Sequence, residues 1–287
     1  MKPRPMYWLL RREVWEHRGI CLAPLVIAGL MVLLFLIAAL DPTQRSRPLW
    51  LLAPAQQHAA MRIAYDIAAK MIMLTAFIVG VSYCVDALHG ERRDRSILFW
   101  KSLPVSDFTT VLSKASIPLV ILPLLAFAVI FVTDLAILLL GTAFLLLGGL
   151  GPTALWSPLQ FPSPVALAAI PIASALWFAP LYGWLLLVSG WARRAPFLWA
   201  VLPWLALGMV EQFALHTTIV ASMLAHSGLP WFGQAFHHEP QFTIPGAPMV
   251  SLTPEMFLSM PGLWLGLAFT VACVTAAVRM RRRSVPI

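Results

Sequence analysis

Six long apolar stretches, separated by polar segments, dominate the pattern of the chain. A helix needs ~20 predominantly apolar residues to cross ~30 Å of hydrocarbon, and each stretch has about that length. The pattern therefore predicts an all-α integral membrane protein with six transmembrane helices, at residues 20–40, 67–88, 115–140, 165–190, 197–224 and 262–278. Residues 141–150 either extend the third helix or form a re-entrant turn.

The segment before the first apolar stretch, residues 1–19, has helical spacing of its own. Trp8, Leu9 and Trp15 fall so that one face of a helix is apolar, while Arg12 falls on a charged face. Such a pattern is typical of an amphipathic helix that lies in the membrane interface, anchored by tryptophans. The alternative is a simple extension of the first span into the cytoplasm.

The composition supports the membrane interpretation and excludes several classes of protein. Of 287 residues, 60% are hydrophobic and 11% are charged, and the mean hydropathy is +0.82. Soluble domains have roughly 45–50% apolar and about 25% charged residues, so this chain cannot cover a soluble globule of its size with polar side chains. A soluble enzyme, a disordered linker and a fibrous repeat are excluded, and we expect one transmembrane domain, 1–287.

The positive charges are distributed unevenly between the predicted loops. Most of the 20 Lys and Arg residues lie before the first span, after the second, after the fourth and at the C-terminus. The positive-inside rule then places both termini in the cytoplasm. The net charge of +8 is therefore a signal of topology, and no nucleic-acid partner is expected.

Two further residue types limit the chemistry of the chain. The lysines, at 2, 70, 101 and 114, lack the glycine-rich run that a phosphate-binding loop needs, so the chain is not a conventional P-loop ATPase. Cys21, Cys84 and Cys273 are isolated, which favours small apolar residues in helices over a redox or metal site.

The loop after the second span, HGERRDRSILFWKSLPVSDFTTVLSK at residues 89–114, carries the most information. Four bulky apolar residues, 97–100, follow a run of charges in a segment that must face water. Exposed apolar patches bordered by charge usually mark a protein contact, although these residues could instead dip into the lipid interface. Ser106 or Asp107 is a suitable N-cap for the helix that enters the third span.

This loop resembles the cytoplasmic loop of ABC-2 type transporter permeases. In that family a Glu-Arg pair followed by Ser or Thr, and then Ser-Leu-Pro-Val-Ser, precedes the third span, and residues 91–106 read ERRDRSILFWKSLPVS. The remaining similarity is one of layout, namely the amphipathic N-terminal helix, the six spans and a long outer segment between spans five and six.

The resemblance implies the permease subunit of an ATP-driven exporter in the bacterial cytoplasmic membrane. The loop would be a coupling helix that docks on an ABC ATPase, and two ATPase subunits would drive two permeases, either identical copies or sisters. Membrane lipid would surround them, ATP and Mg²⁺ would bind the ATPase, and this chain would have no cofactor, metal or catalytic residue. Ionic contacts would come from Glu91, Arg92, Arg93, Asp94 and Arg95, and the apolar anchor would consist of Ile97, Leu98, Phe99 and Trp100.

Ionisable residues inside predicted spans are functional candidates by default. Glu211 lies about 21 Å above Phe197 along the fifth span, within the hydrocarbon, and Gln212 and His216 lie near it. They would line the substrate pathway or the seam between permeases, or serve only the fold. Asp134 lies about 28 Å above residue 115, which predicts a solvated helix end near the outer interface. Asp86, near the end of the second span, is expected to be tied to the loop.

The outer segment, 226–261, contains six prolines and no Lys or Arg. The resemblance implies short re-entrant helices here that form an outer gate. The run His237-His238-Glu239 invites a zinc interpretation, but it lacks the second histidine of the HExxH pattern, so no metal is predicted.

Two other functions remain as alternatives to a transport subunit. The first is an intramembrane enzyme, such as a protease that uses Glu211 and nearby histidines, but most of those histidines fall in or beside the outer segment. The second is a proton-coupled secondary transporter that uses Glu211 and Asp134, which would be expected to show inverted repeats. Neither alternative accounts for the 89–106 loop.

Overall fold

A computed structural model describes residues 5–40, 54–94, 106–147, 164–192, 194–210 and 261–283. All regular structure in this part of the chain is helical. In chain order the helices are α1 (Pro5–Glu16), α2 (Gly19–Leu40), α3 (Pro54–Asp86), α4 (His89–Arg93), α5 (Asp107–Ser116), α6 (Leu122–Leu147), α7 (Pro164–Trp191), α8 (Pro196–Val210) and α9 (Pro261–Arg283).

Five of the helical stretches are long and apolar enough to cross a membrane. They match predicted spans one to four and six, and they cover Gly19–Leu40, Met61–Arg93, Asp107–Leu147, Ile172–Trp191 and Gly262–Arg282. The predicted fifth span begins in α8, whose described part is 15 residues long, and residues 211–224 lie outside the described part. The chain is thus a multi-pass helical membrane protein.

The third span is one continuous helical stretch with a local defect. A single turn of π-helix, Ile117–Ile121, joins α5 to α6. Proline lacks an N–H and its ring crowds the preceding turn, so Pro118 and Pro123 disturb the regular hydrogen-bond ladder at this point. Beyond the defect α6 continues to Leu147, so residues 141–147 extend the third span and do not form a re-entrant turn.

Helix α1 is separate from the first span. It ends at Glu16, and a turn at His17 and Arg18 precedes α2. One face of α1, with Leu9 and Glu13, is buried, whereas Trp8 and Trp15 are exposed on another. This arrangement favours a distinct amphipathic helix over an extension of the first span.

The core lies between α3, α6 and α7, where Ile72, Ala126 and Leu186 are almost fully buried. Helices α7 and α9 pack closely against each other. A Cβ atom built on Gly266 would lie 2.7 Å from Cγ of Pro180, and one on Gly183 would lie 3.1 Å from Cα of Thr270. Small residues at such crossings let membrane helices approach closely, which strengthens van der Waals packing.

Candidate functional site

The segment singled out from the sequence is held at both of its ends by regular structure. It leaves the bundle through α4 and returns at Ser106, and residues 95–105 between them lie outside the described part. The hydroxyl of Ser106 accepts a hydrogen bond from the backbone N–H of Thr109 at 3.1 Å. The prediction that Ser106 or Asp107 caps the entering helix is therefore confirmed for Ser106. The end of the bundle that carries these two points is called the loop end below.

The first of these points, α4, is fixed to the end of α7. The hydroxyl of Ser189, which is fully buried, accepts hydrogen bonds from the backbone N–H groups of Leu88 at 3.0 Å and His89 at 2.9 Å. These are N–H groups that a helix start leaves without an intrahelical partner. The guanidinium of Arg92 donates to the carbonyl oxygen of Gly190 at 2.8 Å. Both ends of this short helix are thus tied to one neighbouring helix.

A buried lysine connects α4 to the N-terminal helix. Nζ of Lys114, on α5, lies 2.9 Å from Oε1 of Glu13 and 3.3 Å from Oε1 of Glu91. The Lys114 side chain is 3% exposed, and the two carboxylates are 7% and 10% exposed. The hydroxyl of Tyr83 donates to the second oxygen of Glu13 at 2.8 Å. Each of these three charges therefore has a partner of opposite sign, as burial at low dielectric requires.

A buried arginine of the last helix connects the two ends of the loop. The guanidinium of Arg281 pairs with Glu91 on α4 and, through Nε at 3.2 Å, with Asp107 at the start of α5. The Arg281 side chain is 4% exposed. The chain of charges Glu13–Lys114–Glu91–Arg281–Asp107, called the charge network below, thus joins the N-terminal helix, both ends of the loop and the last helix.

The charge network alters the acidity of Glu13. Burial by itself would raise the pKa of this carboxyl, but the positive charge of Lys114 and the hydrogen bonds from Lys114 and Tyr83, with a contribution from His17, together hold the pKa below its ordinary value of 4.5. Glu13 is therefore ionised at neutral pH.

The residues predicted to meet an ATPase fall into three groups. Glu91 and Arg92 are buried in contacts within the chain. Arg93 and Asp94 are more than 60% exposed and pair with each other at 3.2 Å. The third group lies outside the described residues and consists of Arg95, Ile97, Leu98, Phe99 and Trp100. A contact of any of these residues with a partner stays a prediction.

The prediction that Asp86 is tied to the loop agrees with its position at the end of α3. A Cβ atom built on Gly90 of α4 would lie 3.2 Å from a carboxylate oxygen of Asp86. The carboxylate also acts electrostatically on Arg93.

Sequence reasoning missed three members of the charge network, Glu13, Lys114 and Arg281. Lys114 and Arg281 were counted as topology charges, and Glu13 was not singled out on its helix. A signal did exist, because each lies within about two turns of a predicted span end, where a charge must be solvated or paired. Which charges pair could not be read from one sequence, since the partners of Arg281 are 174 and 190 residues away.

The prediction for Asp134 as a solvated helix end is wrong. Helix α6 continues for 13 residues beyond Asp134, and the side chain is 1% exposed. The reason is that α3 covers this face of α6. Three predictions fall on residues outside the described part. They concern the pathway residues Glu211, Gln212 and His216, the run at 237–239, and the re-entrant segment 226–261 apart from its last residue. Within the described residues no cluster of three possible metal ligands occurs.

Comparisons of this chain with family models, with curated proteins and with solved structures found no match. The class defined by the fold is that of a multi-pass helical membrane protein with a charged, internally braced site at one end of the bundle.

Proposed function

We propose that the chain is the permease subunit of an ATP-driven exporter and that the 89–106 loop couples it to a separate ABC ATPase. It contributes the membrane pathway and performs no chemistry of its own. ATP and Mg²⁺ bind to the partner ATPase, and two permeases and two ATPases form the working unit. The proposal rests on the resemblance of residues 91–106 to the cytoplasmic loop of ABC-2 type permeases and on the contacts that hold the two ends of this loop.

One observation carries this proposal: a single buried residue, Arg281, holds both ends of the loop. A loop that transmits force to membrane helices needs stiff attachments, because a push on a mobile loop would be lost in local motion. Buried charge-assisted hydrogen bonds are among the strongest non-covalent attachments available. Through Lys114 the same network reaches α5, which continues directly into the third span.

The geometry divides the loop residues into two roles. Glu91 and Arg92 are committed to the bundle, so they brace the loop. Arg93 and Asp94 are exposed, so they are available to begin the surface that meets the ATPase. The apolar run at 97–100 follows in the sequence and would supply the apolar part of the contact, since interface energy concentrates in buried aromatic and arginine side chains.

The positions of the chain ends support six spans. The N-terminal helix α1 and the last turn of α9 both join the charge network at the loop end. Helix α7 also finishes at this end, beside α4, while α9 starts at the opposite end. A crossing between 192 and 261, begun by apolar α8, would complete the six spans. With the positive-inside rule, the loop end is cytoplasmic.

A pull-down from the native host tests the proposal. Detergent-solubilised wild type would be compared with a Phe99→Ala, Trp100→Ala double variant, and co-purifying proteins would be identified by mass spectrometry. The control variant is Leu146→Ala, Leu147→Ala, which removes two exposed apolar side chains from the far end of α6.

We expect an ATPase subunit with the wild type and with the control, and its loss from the loop variant. Absence of any ATPase from the wild type in several mild detergents would overturn the proposal. Equal recovery with the loop variant would leave the permease role standing and would remove the loop as the docking element.

A further inference from the structure

A second buried charge lies far from the charge network, near the opposite end of the bundle. Asp134 is about 30 Å from Lys114 along the same helical stretch, and its side chain is 1% exposed. It shares the face of α6 that carries Ile137 and Leu138, which are three and four residues further on and are buried against α3. The carboxyl group thus lies inside the helix bundle and does not face lipid or water.

The polar groups around Asp134 do not neutralise it. The Oδ1 atom of Asp134 is fully buried and accepts no hydrogen bond from any described residue. The Asp134 carboxylate also forms no ion pair with a described residue. The neighbouring Thr133 hydroxyl donates to the carbonyl oxygen of Val129 at 2.7 Å and so satisfies its own helix.

The neighbouring helices supply no described cation that pairs with this carboxyl. Helix α3 presents Tyr65, which is 5% exposed, and Asp66, whose negative charge acts on Asp134. Helix α2 also packs on α6, and its only ionisable residue is Cys21, close to its other end. Asp134 is the only ionisable residue in α6 itself. Helix α3 also carries Arg62 and Lys70, one turn to either side of Asp66, and neither forms an ion pair with Asp134 in the described part of the chain. Helix α7, which also packs on α6, has no charged residue between Pro164 and Trp191. The charge that acts on this carboxyl is therefore the negative charge of Asp66.

We propose that Asp134 is a proton-binding site, occupied at neutral pH, in the outer half of the membrane domain. An isolated carboxylate inside a protein in a membrane is so unfavourable that the group takes up a proton instead. The reaction is the simple equilibrium in which the carboxylate and one proton form the neutral acid. The neutral acid also supplies an O–H donor, which the carboxylate lacks.

The proton fits this site better than a larger cation does. Met61, Tyr65, Ala68, Ile137 and Leu138 form a continuous buried cluster at this level of the bundle. A cation such as an organic amine would need room among these side chains and several oxygen or aromatic contacts. Asp66, one residue after Tyr65, is exposed and lies close enough to act electrostatically on Asp134.

The protonation state of Asp134 affects the packing of α3 against α6. Loss of the proton would create an unpaired negative charge between α3 and α6, beside a second carboxylate, and would weaken the contact between these two helices. The site therefore makes the packing of the second and third spans sensitive to proton availability. This inference does not depend on the ATPase partner.

Infrared difference spectroscopy of the purified protein in lipid tests the site directly. A protonated carboxylic acid has a carbonyl stretching band, separate from the carboxylate and amide bands, that shifts in deuterium oxide. We expect the wild type to show this band at neutral pH and Asp134→Asn to lack it, while Asp66→Asn retains it. A spectrum of Asp134→Asn identical to that of the wild type in this region would overturn the proposal.

A second measurement on the wild-type protein covers the case in which Asp134→Asn does not fold. Dicyclohexylcarbodiimide is apolar and adds to protonated carboxyl groups, and the adduct is located by peptide mass spectrometry. Modification of the peptide that contains Asp134 at neutral pH, reduced when the pH is raised, is the expected result. An Asp134 peptide that stays unmodified at neutral pH would contradict a bound proton.

Discussion

Lys114 and Glu13 form a buried ion pair between the helix that enters the third span and the helix that begins the chain, with 2.9 Å between Nζ and Oε1. The pair is 101 residues apart in sequence, and Lys114 is shared with Glu91 at 3.3 Å. One cation therefore balances two carboxylates. This sharing makes the network sensitive to changes at Lys114, because its removal leaves Glu13 without this cation and Glu91 with Arg281 alone.

Replacing Lys114 by Met tests that sensitivity. The variant keeps most of the side-chain volume and removes the charge, so Glu13 loses its cation and Glu91 keeps only Arg281. Breaking a buried pair by removing one partner costs about 3–5 kcal/mol. We expect a loss of stability of that order in reversible unfolding by SDS in mixed micelles.

Lys114→Arg is the matched control for this change, since it keeps the charge, and it should lose much less stability than Lys114→Met. Glu13→Gln combined with Lys114→Met should be more stable than the sum of the two single losses predicts, because the double variant removes both charges of the pair. Strict additivity of the two losses would contradict the coupling.

The stability of the loop end should depend on pH, because Glu13 takes up a proton in acid. Its pKa is held below the ordinary value of 4.5 in the folded protein. A lowered folded-state pKa means that the ionised form contributes stability above pH 4.5 and that this contribution is lost as the pH falls through the folded-state value. Glu13→Gln has no such contribution at any pH.

The measurement is the thermal midpoint of the wild type and of Glu13→Gln across this range of pH. The wild type should be the more stable protein at neutral pH, and the gap should narrow as the pH falls below 4.5. The other carboxylates titrate in both proteins, so their effects cancel in the difference. A difference in thermal midpoint that grows as the pH falls would contradict a stabilising role of ionised Glu13.

Arg281 should control the order of both ends of the loop. Hydrogen bonds to charged groups contribute about 1.5–3 kcal/mol, so Arg281→Gln should speed local opening at residues 89–94 and 106–110 by about tenfold or more. Arg282→Gln is the control, because it removes the same type of charge from the next, exposed position of α9.

Hydrogen–deuterium exchange with peptide resolution measures these two segments in one experiment. Faster exchange at both segments in Arg281→Gln, with wild-type rates in Arg282→Gln, is the expected outcome. Faster exchange at 106–110 alone would mean that Arg281 holds Asp107 but does not brace α4.

Much of the fold could be predicted because the membrane imposes a simple rule. Backbone groups in hydrocarbon must be satisfied within a helix, so an apolar run of sufficient length has one structure available. Five spans and the cap at Ser106 followed from local sequence alone. The π-helical turn at 117–121 was not predicted, because the way a helix accommodates its prolines depends on its neighbours.

The candidate site was predictable only in part, for reasons of distance and packing. The loop was visible because its apolar and charged residues are consecutive. The role of Glu91 was not visible in the sequence, because its partners Lys114 and Arg281 come from other helices and are selected by tertiary packing. Asp134 shows the same limit, since depth along a helix can be calculated from a sequence but the face that a neighbouring helix covers cannot.

Close packing of α7 against α9 gives a further prediction. Gly266→Ala places a methyl group where a Cβ atom would lie 2.7 Å from Cγ of Pro180. The proline ring cannot rotate away, so the helices must separate, at a cost of about 1–3 kcal/mol. Gly29→Ala is the matched control on α2, where the added atom would meet nothing within 4 Å.

Unfolding by SDS in mixed micelles compares the two alanine variants with the wild type. Gly266→Ala should be clearly less stable, whereas Gly29→Ala should match the wild type or exceed it, because alanine favours a helix by about 1 kcal/mol over glycine. Since α9 also carries Arg281, Gly266→Ala should in addition raise exchange at residues 89–94. Lower stability without that increase would mean that the α7–α9 contact and the charge network are independent.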